Sequence, residues 1–277
     1  MSDSPVPAPA ARERALEGLR LLAPVSLFIA IYLATFLAVG YAAAELGLRT
    51  TYWIALGSAA VATFFTIRVI EQGRWSIGFF VPPQLAAREW LLGILFAAGV
   101  IGACDLLIIV SSGMRHVPGD GMAWRELVNV FVPAAVHEEI VFRGYMFQRI
   151  RAWNRPTAIG ATAILFSALH AGNGGVTAIA LVNLTLAGVL LALAYERFGR
   201  LWFPIGVHFA WNVLSGPVLG FGVSGYESAG TLLRTVASAP AWATGGTFGI
   251  EASAWMMPVE MVAIAFLGSR KRVAGSV

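Results

Sequence analysis

Midway along the chain runs the sequence His137-Glu138-Glu139-Ile140-Val141-Phe142-Arg143, inside an otherwise apolar stretch. Placing a charged side chain at the centre of a membrane-spanning helix costs about 2.5–3.5 kcal/mol on insertion scales. A chain that puts two adjacent acids and an arginine at such a place is therefore expected to use them. The rest of the sequence indicates what for.

The composition is that of a membrane protein. Of the 277 residues, 58% are hydrophobic and only 12% are charged, with a mean hydropathy of +0.74, whereas soluble domains carry about 25% charged residues. The chain is therefore predicted to be all-α, a polytopic transmembrane helical bundle whose environment is the lipid bilayer. Its net charge of +4 is better explained by membrane topology than by nucleic acid, and no nucleic-acid partner is expected.

Eight stretches are long and apolar enough to be candidate spans, although the fifth and eighth are short. They are residues 21–44, 51–70, 90–111, 127–148, 156–172, 176–195, 201–222 and 252–268. Of the 19 Lys and Arg residues, 14 fall in segments on one side if the N-terminus is cytoplasmic. Only Arg49, Arg115, Arg125 and Arg234 fall on the other side, and Arg143 lies within a span. The positive-inside rule thus predicts eight spans with both termini in the cytoplasm.

The chain divides into five predicted parts. They are a cytoplasmic tail (1–20), two N-terminal spans with their loop (21–87), a core (88–223), a Gly-, Ser-, Ala- and Thr-rich flexible external loop (224–251), and a last span with a basic cytoplasmic tail (252–277). The Arg- and Ala-rich, nearly Lys-free composition favours a bacterial cytoplasmic membrane. The single cysteine, Cys104, lies in an apolar run, which excludes an internal disulfide and indicates a buried filler.

Helical spacing separates the two glutamates. Residues four apart share a helix face, so Glu139 and Arg143 are expected to pair and neutralise one another. Glu138 points about 100° away and has Phe142 at the corresponding position, so it has no partner on its own helix. His137 faces a third direction and is interpreted as structural.

Two other spans contribute polar groups. The fifth ends with Phe166-Ser167-Ala168-Leu169-His170, and the seventh contains His208-Phe209-Ala210-Trp211-Asn212. His208 and Asn212 are four apart, so both side chains project from one helix face. The zincin pattern His-Glu-x-x-His is broken by Val141, no Gly-x-Ser-x-Gly is followed by a histidine, and Asp105 is the sole aspartate within a predicted span.

These three elements, in this order on successive helices, resemble the CAAX protease and bacteriocin-processing (CPBP, or Abi) family, whose eukaryotic relative is the type II CAAX prenyl endopeptidase. The resemblance covers roughly residues 88–223. It implies an intramembrane endopeptidase acting on a peptide or a membrane-anchored protein. In it, Glu138 activates water, His170 and His208 bind that water or a metal, and Asn212 with His208 stabilises the oxyanion. Glu139 and Arg143 would be the family's structural pair.

Two mechanisms remain open at this stage. In a metal-free mechanism, Glu138 is the base and no cofactor is needed. In a metallo mechanism, Glu138, His170 and His208 are three Zn²⁺ ligands with water in the fourth position. Glu138 could then not easily serve as the base as well, so the metal-free alternative is favoured. A non-proteolytic immunity or scaffold protein and a proton-linked transporter are the alternative functions, although the transporter lacks the expected internal repeat.

Depth along the helices predicts where the site lies. Counted from the nearest cytoplasmic arginine, Glu138 and His208 are about 16 and 12 Å deep, and His170 is about 22 Å deep. A cytoplasm-facing cavity is therefore expected, with His170 as the member that fits least well. Asp105 and Glu260 have no predicted partner.

Overall fold

The computed structural model describes residues 11–49 and 51–269. Most of the predicted N-terminal tail and the basic C-terminal tail (270–277) lie outside the described residues. The described part is mostly helical, which confirms the predicted all-α class at that level.

Eight helical rods make up the bundle within the described residues. They are α1 (Ala11–Glu45); α2 (Tyr52–Phe65) with a π-helical segment (Thr66–Ile70); α3 (Pro83–Ser112); a composite rod of α4 (Trp124–Glu126), a π-helical segment (Leu127–Phe131), α5 (Val132–Glu139), a second π-helical segment (Ile140–Met146) and α6 (Phe147–Trp153); α7 (Arg155–Leu169); α8 (Ala178–Phe198); α9 (Trp202–Val213) with a π-helical segment (Leu214–Val218); and α11 (Met256–Ser269). A short helix, α10 (Ala241–Thr244), precedes α11.

Four helical segments are long and apolar enough to cross a membrane within the described residues. They are Gly18–Glu45, Tyr52–Ile70, Pro83–Ser112 and Ala178–Phe198. The remaining rods are shorter or carry the buried charges of the central stretch. The prediction of a membrane-spanning helical bundle is confirmed to this extent, and the full count of eight spans stays a prediction.

Side-chain contacts define one end of the bundle, here called the loop end (residues 113–123, 170–177 and 219–255). Asn173 donates to the Ser224 carbonyl at 2.8 Å, and Tyr226 donates to Glu126 at 2.8 Å. The strands β1 (Arg115–Pro118) and β2 (Leu233–Val236) pair antiparallel there. This two-stranded sheet was not expected from the sequence.

The opposite end, here called the arginine end (residues 71–82, 149–154 and 199–201), is closed by ion pairs. Arg200 Nε donates to Glu89 at 2.8 Å, and both side chains are buried. Arg149 lies 3.5 Å from Glu71. Successive rods run alternately between the two ends, so residues 11 and 269 both lie at the arginine end.

The segment expected to be a flexible external loop is folded in the structure. It contains β2, α10 and a 3₁₀ turn (Ile250–Ala252), and the side chains of Phe248 and Ile250 are fully buried against the bundle. Ser253 Oγ donates to the Ala243 carbonyl, which joins the end of the 3₁₀ turn to α10. Its flexibility stays a prediction, because packing at one moment does not measure motion.

Helices α3 and α9 approach closely through two glycines. A Cβ on Gly93 would lie 2.3 Å from the Phe203 carbonyl oxygen, and one on Gly206 would lie 2.3 Å from the Trp90 carbonyl oxygen. Small residues permit such backbone contact between helices in a membrane, where packing rather than the hydrophobic effect holds helices together. This contact fixes the position of α9, which carries His208 and Asn212.

We expect Gly93→Ala to destabilise the protein, because the new methyl group must push α3 away from the backbone of α9. The free energy of unfolding should fall by about 1–3 kcal/mol, the usual cost of overpacking. Equilibrium unfolding in mixed micelles measures this. The control is Gly102→Ala on the same helix, where an added Cβ has no neighbour within 4 Å. Equal stability of the two variants would contradict this packing.

Candidate active site

Glu139 and Arg143 form the expected pair in the interior of the bundle. Arg143 Nη1 donates to Glu139 Oε1 at 2.9 Å, and both side chains are fully buried. Arg143 Nη2 also donates to the Gly188 carbonyl of α8 at 3.2 Å. A buried charge is tolerated when it is paired and hydrogen-bonded. Here the two charges are paired, whereas Glu139 Oε2 and Arg143 Nε have no hydrogen-bond partner among the described residues.

The same glutamate holds a residue that the sequence did not connect to it. His208 Nδ1 lies 3.0 Å from Glu139 Oε1, so the Nδ1–H donates to the carboxylate. Glu139 thus bridges Arg143 and His208. A ring held through Nδ1 presents its Nε2 in a fixed direction, as in carboxylate–histidine pairs at catalytic sites.

The free edge of His208 faces the other glutamate. His208 Nε2 lies 3.8 Å from Glu138 Oε2. This distance is too long for a direct hydrogen bond. A water molecule could bridge the two atoms by hydrogen bonding to both. The Glu138 side chain keeps 17% of its surface exposed, whereas Glu139 keeps none. The two adjacent acids therefore differ in their environments, as the helical spacing predicted.

His170 is fixed in a similar manner. It follows the last residue of α7, and its Nδ1–H donates to the Phe166 carbonyl at 2.8 Å. The Phe166 ring packs against both imidazoles, with centroid distances of 4.9 Å to His170 and 6.0 Å to His208. The Arg143 guanidinium lies 4.9 Å from the same ring. Phe166 therefore contacts Arg143 and both imidazoles.

One cavity of about 770 Å³ brings the predicted catalytic residues together. Glu138, His170, His208 and Asn212 all contribute to its lining. Most of the remaining wall is apolar and comes from α8, α9 and the composite rod. Four polar side chains are thus set in a mostly apolar wall, where hydrogen bonds and charges act more strongly than in water.

A further acid at the cavity was missed by the sequence analysis. Glu251 lines the cavity and is buried, and its carboxylate accepts from Ser224 N at 2.6 Å and from Trp211 Nε1 at 3.2 Å. Asn183 Nδ2 donates to the Glu251 carbonyl at 2.7 Å. Glu251 thereby joins the loop end to α8 and α9. The available signal was that Glu251 is the single acid between residues 228 and 259.

Comparison with known proteins finds one similar family. Residues 120–214 match the family model described as type II CAAX prenyl endopeptidase Rce1-like. This segment is similar to the Rce1-like family. It covers about a third of the chain and contains all six predicted site residues, from Glu138 to Asn212. The match indicates similarity to CAAX-type intramembrane endopeptidases over these residues. No curated protein and no solved structure matches the chain.

The mouth of the cavity bears on two expectations: that the cavity faces the cytoplasm and that the N-terminus is cytoplasmic. The lining extends from Glu138 to Asn173, Ser224 and Tyr226 at the loop end, where Tyr226 is 38% exposed. A cytoplasm-facing cavity and a cytoplasmic N-terminus cannot both hold, because residue 11 lies at the opposite end of the bundle. Depth alone does not say at which end the cavity opens, because a mid-bundle residue can be reached from either end, and here ion pairs close the arginine end.

The opening of the cavity toward the loop end also explains why His170 lines it despite its greater depth. This residue lies far from the arginine end, and the cavity itself runs toward the loop end, so His170 does line it. At the mouth, burial and the Glu126 carboxylate raise the pKa of Tyr226 to about 12. The Tyr226 hydroxyl is therefore a neutral hydrogen-bond donor at any physiological pH.

Of the ionisable residues outside the candidate site, Asp105 and His137 have polar contacts, whereas Glu260 has none within the described residues. Asp105 lies 2.9 Å from His116 Nε2 of β1, which ties α3 to the sheet. The His137 ring stacks on Tyr32 and forms a 2.7 Å hydrogen bond with its hydroxyl. Glu260 is fully buried, and neither carboxylate oxygen has a hydrogen-bond partner in the described part of the chain.

The positions of the donor atoms bear on the zinc alternative. Among residues 11–49 and 51–269, no three His, Cys, Asp or Glu side chains are grouped so that they could hold a metal ion. The proposed ligands Glu138, His170 and His208 are thus not arranged as a metal-binding set. No catalytic step is routed through a metal here.

Glu139→Gln should destabilise the protein far more than Glu138→Gln. Glu139→Gln leaves the buried Arg143 charge uncompensated, which typically costs about 3–5 kcal/mol. Glu138 forms no ion pair with an arginine, and its 3.8 Å contact with His208 Nε2 is long, so its replacement should change stability by less than about 1 kcal/mol. Equilibrium unfolding of both variants in mixed micelles measures this. The division of roles is wrong if Glu138→Gln is the more destabilising change.

Proposed function

We propose that the protein is an intramembrane endopeptidase that hydrolyses a peptide bond of a membrane-associated protein or peptide. The supporting observation is that Glu138, His170, His208 and Asn212, from three different rods, line one cavity in an apolar bundle. The Rce1-like match over residues 120–214 supports the same reaction class.

In the proposed mechanism Glu138 is the general base. It removes a proton from a water molecule placed beside His208 Nε2, and the resulting hydroxide adds to the scissile carbonyl carbon. When the tetrahedral intermediate collapses, protonated Glu138 gives its proton to the leaving amine. One side chain thus serves first as the general base and then as the general acid, as is common in general acid–base hydrolysis.

The oxyanion of the intermediate would be stabilised by groups on α9. The Asn212 side-chain amide is a neutral donor that remains effective in a low-dielectric chamber. The second member is His208, whose Nδ1–H is held by Glu139 and whose Nε2–H donates to the oxyanion when the ring is doubly protonated. His170, held through Nδ1 by the Phe166 carbonyl, presents its Nε2 as an acceptor for the attacking water. Losing one oxyanion donor typically lowers the rate by about 10²–10³.

The proposal extends to membrane topology. All eight rods cross the membrane, with both termini in the cytoplasm, as the arginine distribution favours. The arginine end is then cytoplasmic, and the cavity opens on the other side. In a bacterial cytoplasmic membrane the substrate would be a peptide, a leader or an anchored segment whose cleavage site lies toward the outer face.

Cleavage by this mechanism should disappear in Glu138→Gln, which keeps the shape of the side chain and removes the base. The measurement is mass-spectrometric mapping of new N-termini in membranes from cells that express each form. Termini seen with the wild type should be absent with Glu138→Gln. Glu227→Gln, an exposed glutamate at the loop end, is the matched control and should retain them. Termini that persist in Glu138→Gln exclude glutamate-based proteolysis.

Activity should not require zinc. Active protein purified in detergent should contain far less than one metal ion per chain, and dialysis against a chelator should leave its cleavage rate unchanged. Elemental analysis together with the cleavage assay provides the measurement. Stoichiometric zinc whose removal abolishes cleavage, and whose return restores it, would overturn the metal-free mechanism.

The proposed orientation predicts which residues a membrane-impermeant maleimide can reach. Glu227→Cys at the loop end should be labelled in intact spheroplasts, and Arg88→Cys near the arginine end only after lysis. The native Cys104 is fully buried and gives little background. The reverse pattern would show that the cavity faces the cytoplasm and that the arginine distribution misleads.

A further inference from the structure

A second concave site lies at the arginine end, remote from the candidate catalytic cavity. It has a volume of about 480 Å³ and lies where the ends of α8 and α11 meet the junction of α6 and α7. Three arginines and one glutamate line it: Arg151, Arg155, Arg197 and Glu196. With all four ionised, the site has an excess of two positive charges.

The carboxylate fixes two of the arginines rather than neutralising the site. Arg151 Nε donates to Glu196 at 2.9 Å, and Arg155 Nη2 donates to Glu196 at 2.6 Å. One acid therefore holds two guanidinium groups in defined positions. The Glu196 side chain is 10% exposed, whereas that of Arg155 is 55% exposed. A pre-positioned guanidinium with further N–H groups available is well suited to an oxyanion.

Arg197 gives independent evidence of a missing acceptor. Its Nη1 is buried and has no hydrogen-bond partner among the residues that the structure describes. A buried donor without an acceptor costs about 1–3 kcal/mol, and such a group in a native protein requires an explanation. A ligand oxygen bound at this site would supply the acceptor.

The remaining lining suggests what the ligand looks like. Leu193 and Leu267 contribute apolar surface beside the arginines, and the site lies at the edge of the bundle, where a helix would meet lipid. Cationic groups next to an apolar wall fit an amphiphile with an anionic head. Basic pockets between membrane helices, near the cytoplasmic surface, recognise lipid head groups in this manner.

We propose that this cavity binds the phosphate group of an anionic phospholipid. Arg151, Arg155 and Arg197 contact the phosphate oxygens, and the acyl chains lie along Leu193 and Leu267. The site would fasten the junction of α6 and α7 to α8 and α11. The proposal does not depend on the peptidase function, because it uses no residue of the catalytic cavity.

The test uses delipidated full-length protein in a neutral detergent. It is titrated with dihexanoyl phosphatidylglycerol, dihexanoyl phosphatidylcholine or inorganic phosphate, and binding is followed by native mass spectrometry and by the midpoint of thermal unfolding. Phosphatidylglycerol should bind more tightly than phosphatidylcholine and raise the midpoint. Arg197→Gln should weaken phosphatidylglycerol binding by about tenfold or more, the loss expected for one charge-assisted hydrogen bond.

The matched control is Arg88→Gln, an exposed arginine near the same end that does not line the cavity, and its affinity should equal that of the wild type. If Arg197→Gln does not fold, Arg155→Gln replaces it, because Arg151 still holds Glu196. Unchanged phosphatidylglycerol binding in the cavity variant overturns the proposal. Equally tight, Arg197-dependent binding of inorganic phosphate also overturns it, since the ligand would then be a free ion.

Discussion

The fold depends on neutralising charge in an apolar interior. Arg143 is fully buried, and the cost of leaving such a group unpaired is several kcal/mol. Glu139 removes that cost, and its second contact, with His208 Nδ1, extends the same interaction to α9. Because Arg143 also binds the Gly188 carbonyl and packs on Phe166, one ion pair fixes four rods relative to each other.

The candidate site follows from this constraint. With Glu139 committed to Arg143 and His208, the neighbouring Glu138 projects into the cavity without an ion pair to an arginine. His208 Nε2 and His170 Nε2 point away from their Nδ1 anchors. Each imidazole is fixed by a hydrogen bond through Nδ1 and keeps its Nε2 free to meet water or substrate. Hydrolysis in an apolar cavity requires polar groups that are pre-positioned in this way. The π-helical segment that begins at Ile140 lies directly after the two glutamates, a placement common at functional sites.

Local spacing predicted a large share of this arrangement. The pairing of Glu139 with Arg143 and the shared face of His208 and Asn212 follow from helix geometry alone, so both were accessible from sequence. The contact between His208 and Glu139 joins residues 69 apart and depends on how α9 packs against α5, which the close approach of Gly93 and Gly206 sets. Glu251 lies in a segment without helical or strand periodicity. Its position at the cavity therefore could not be predicted from local spacing and follows from the tertiary packing of the loop end. The end of the bundle at which the cavity opens could not be predicted from depth, because depth along a helix does not say which end is closed.

The central claim is that the two adjacent glutamates have separate roles, one as scaffold and one as base. A pair of double-mutant cycles in equilibrium unfolding tests it without a known substrate, using Arg143→Met with Glu139→Gln in one cycle and with Glu138→Gln in the other. The account predicts a coupling energy of about 1–3 kcal/mol between Glu139 and Arg143, and of less than about 0.5 kcal/mol between Glu138 and Arg143. A larger coupling for Glu138 would contradict it, because Glu138 would then be the structural acid.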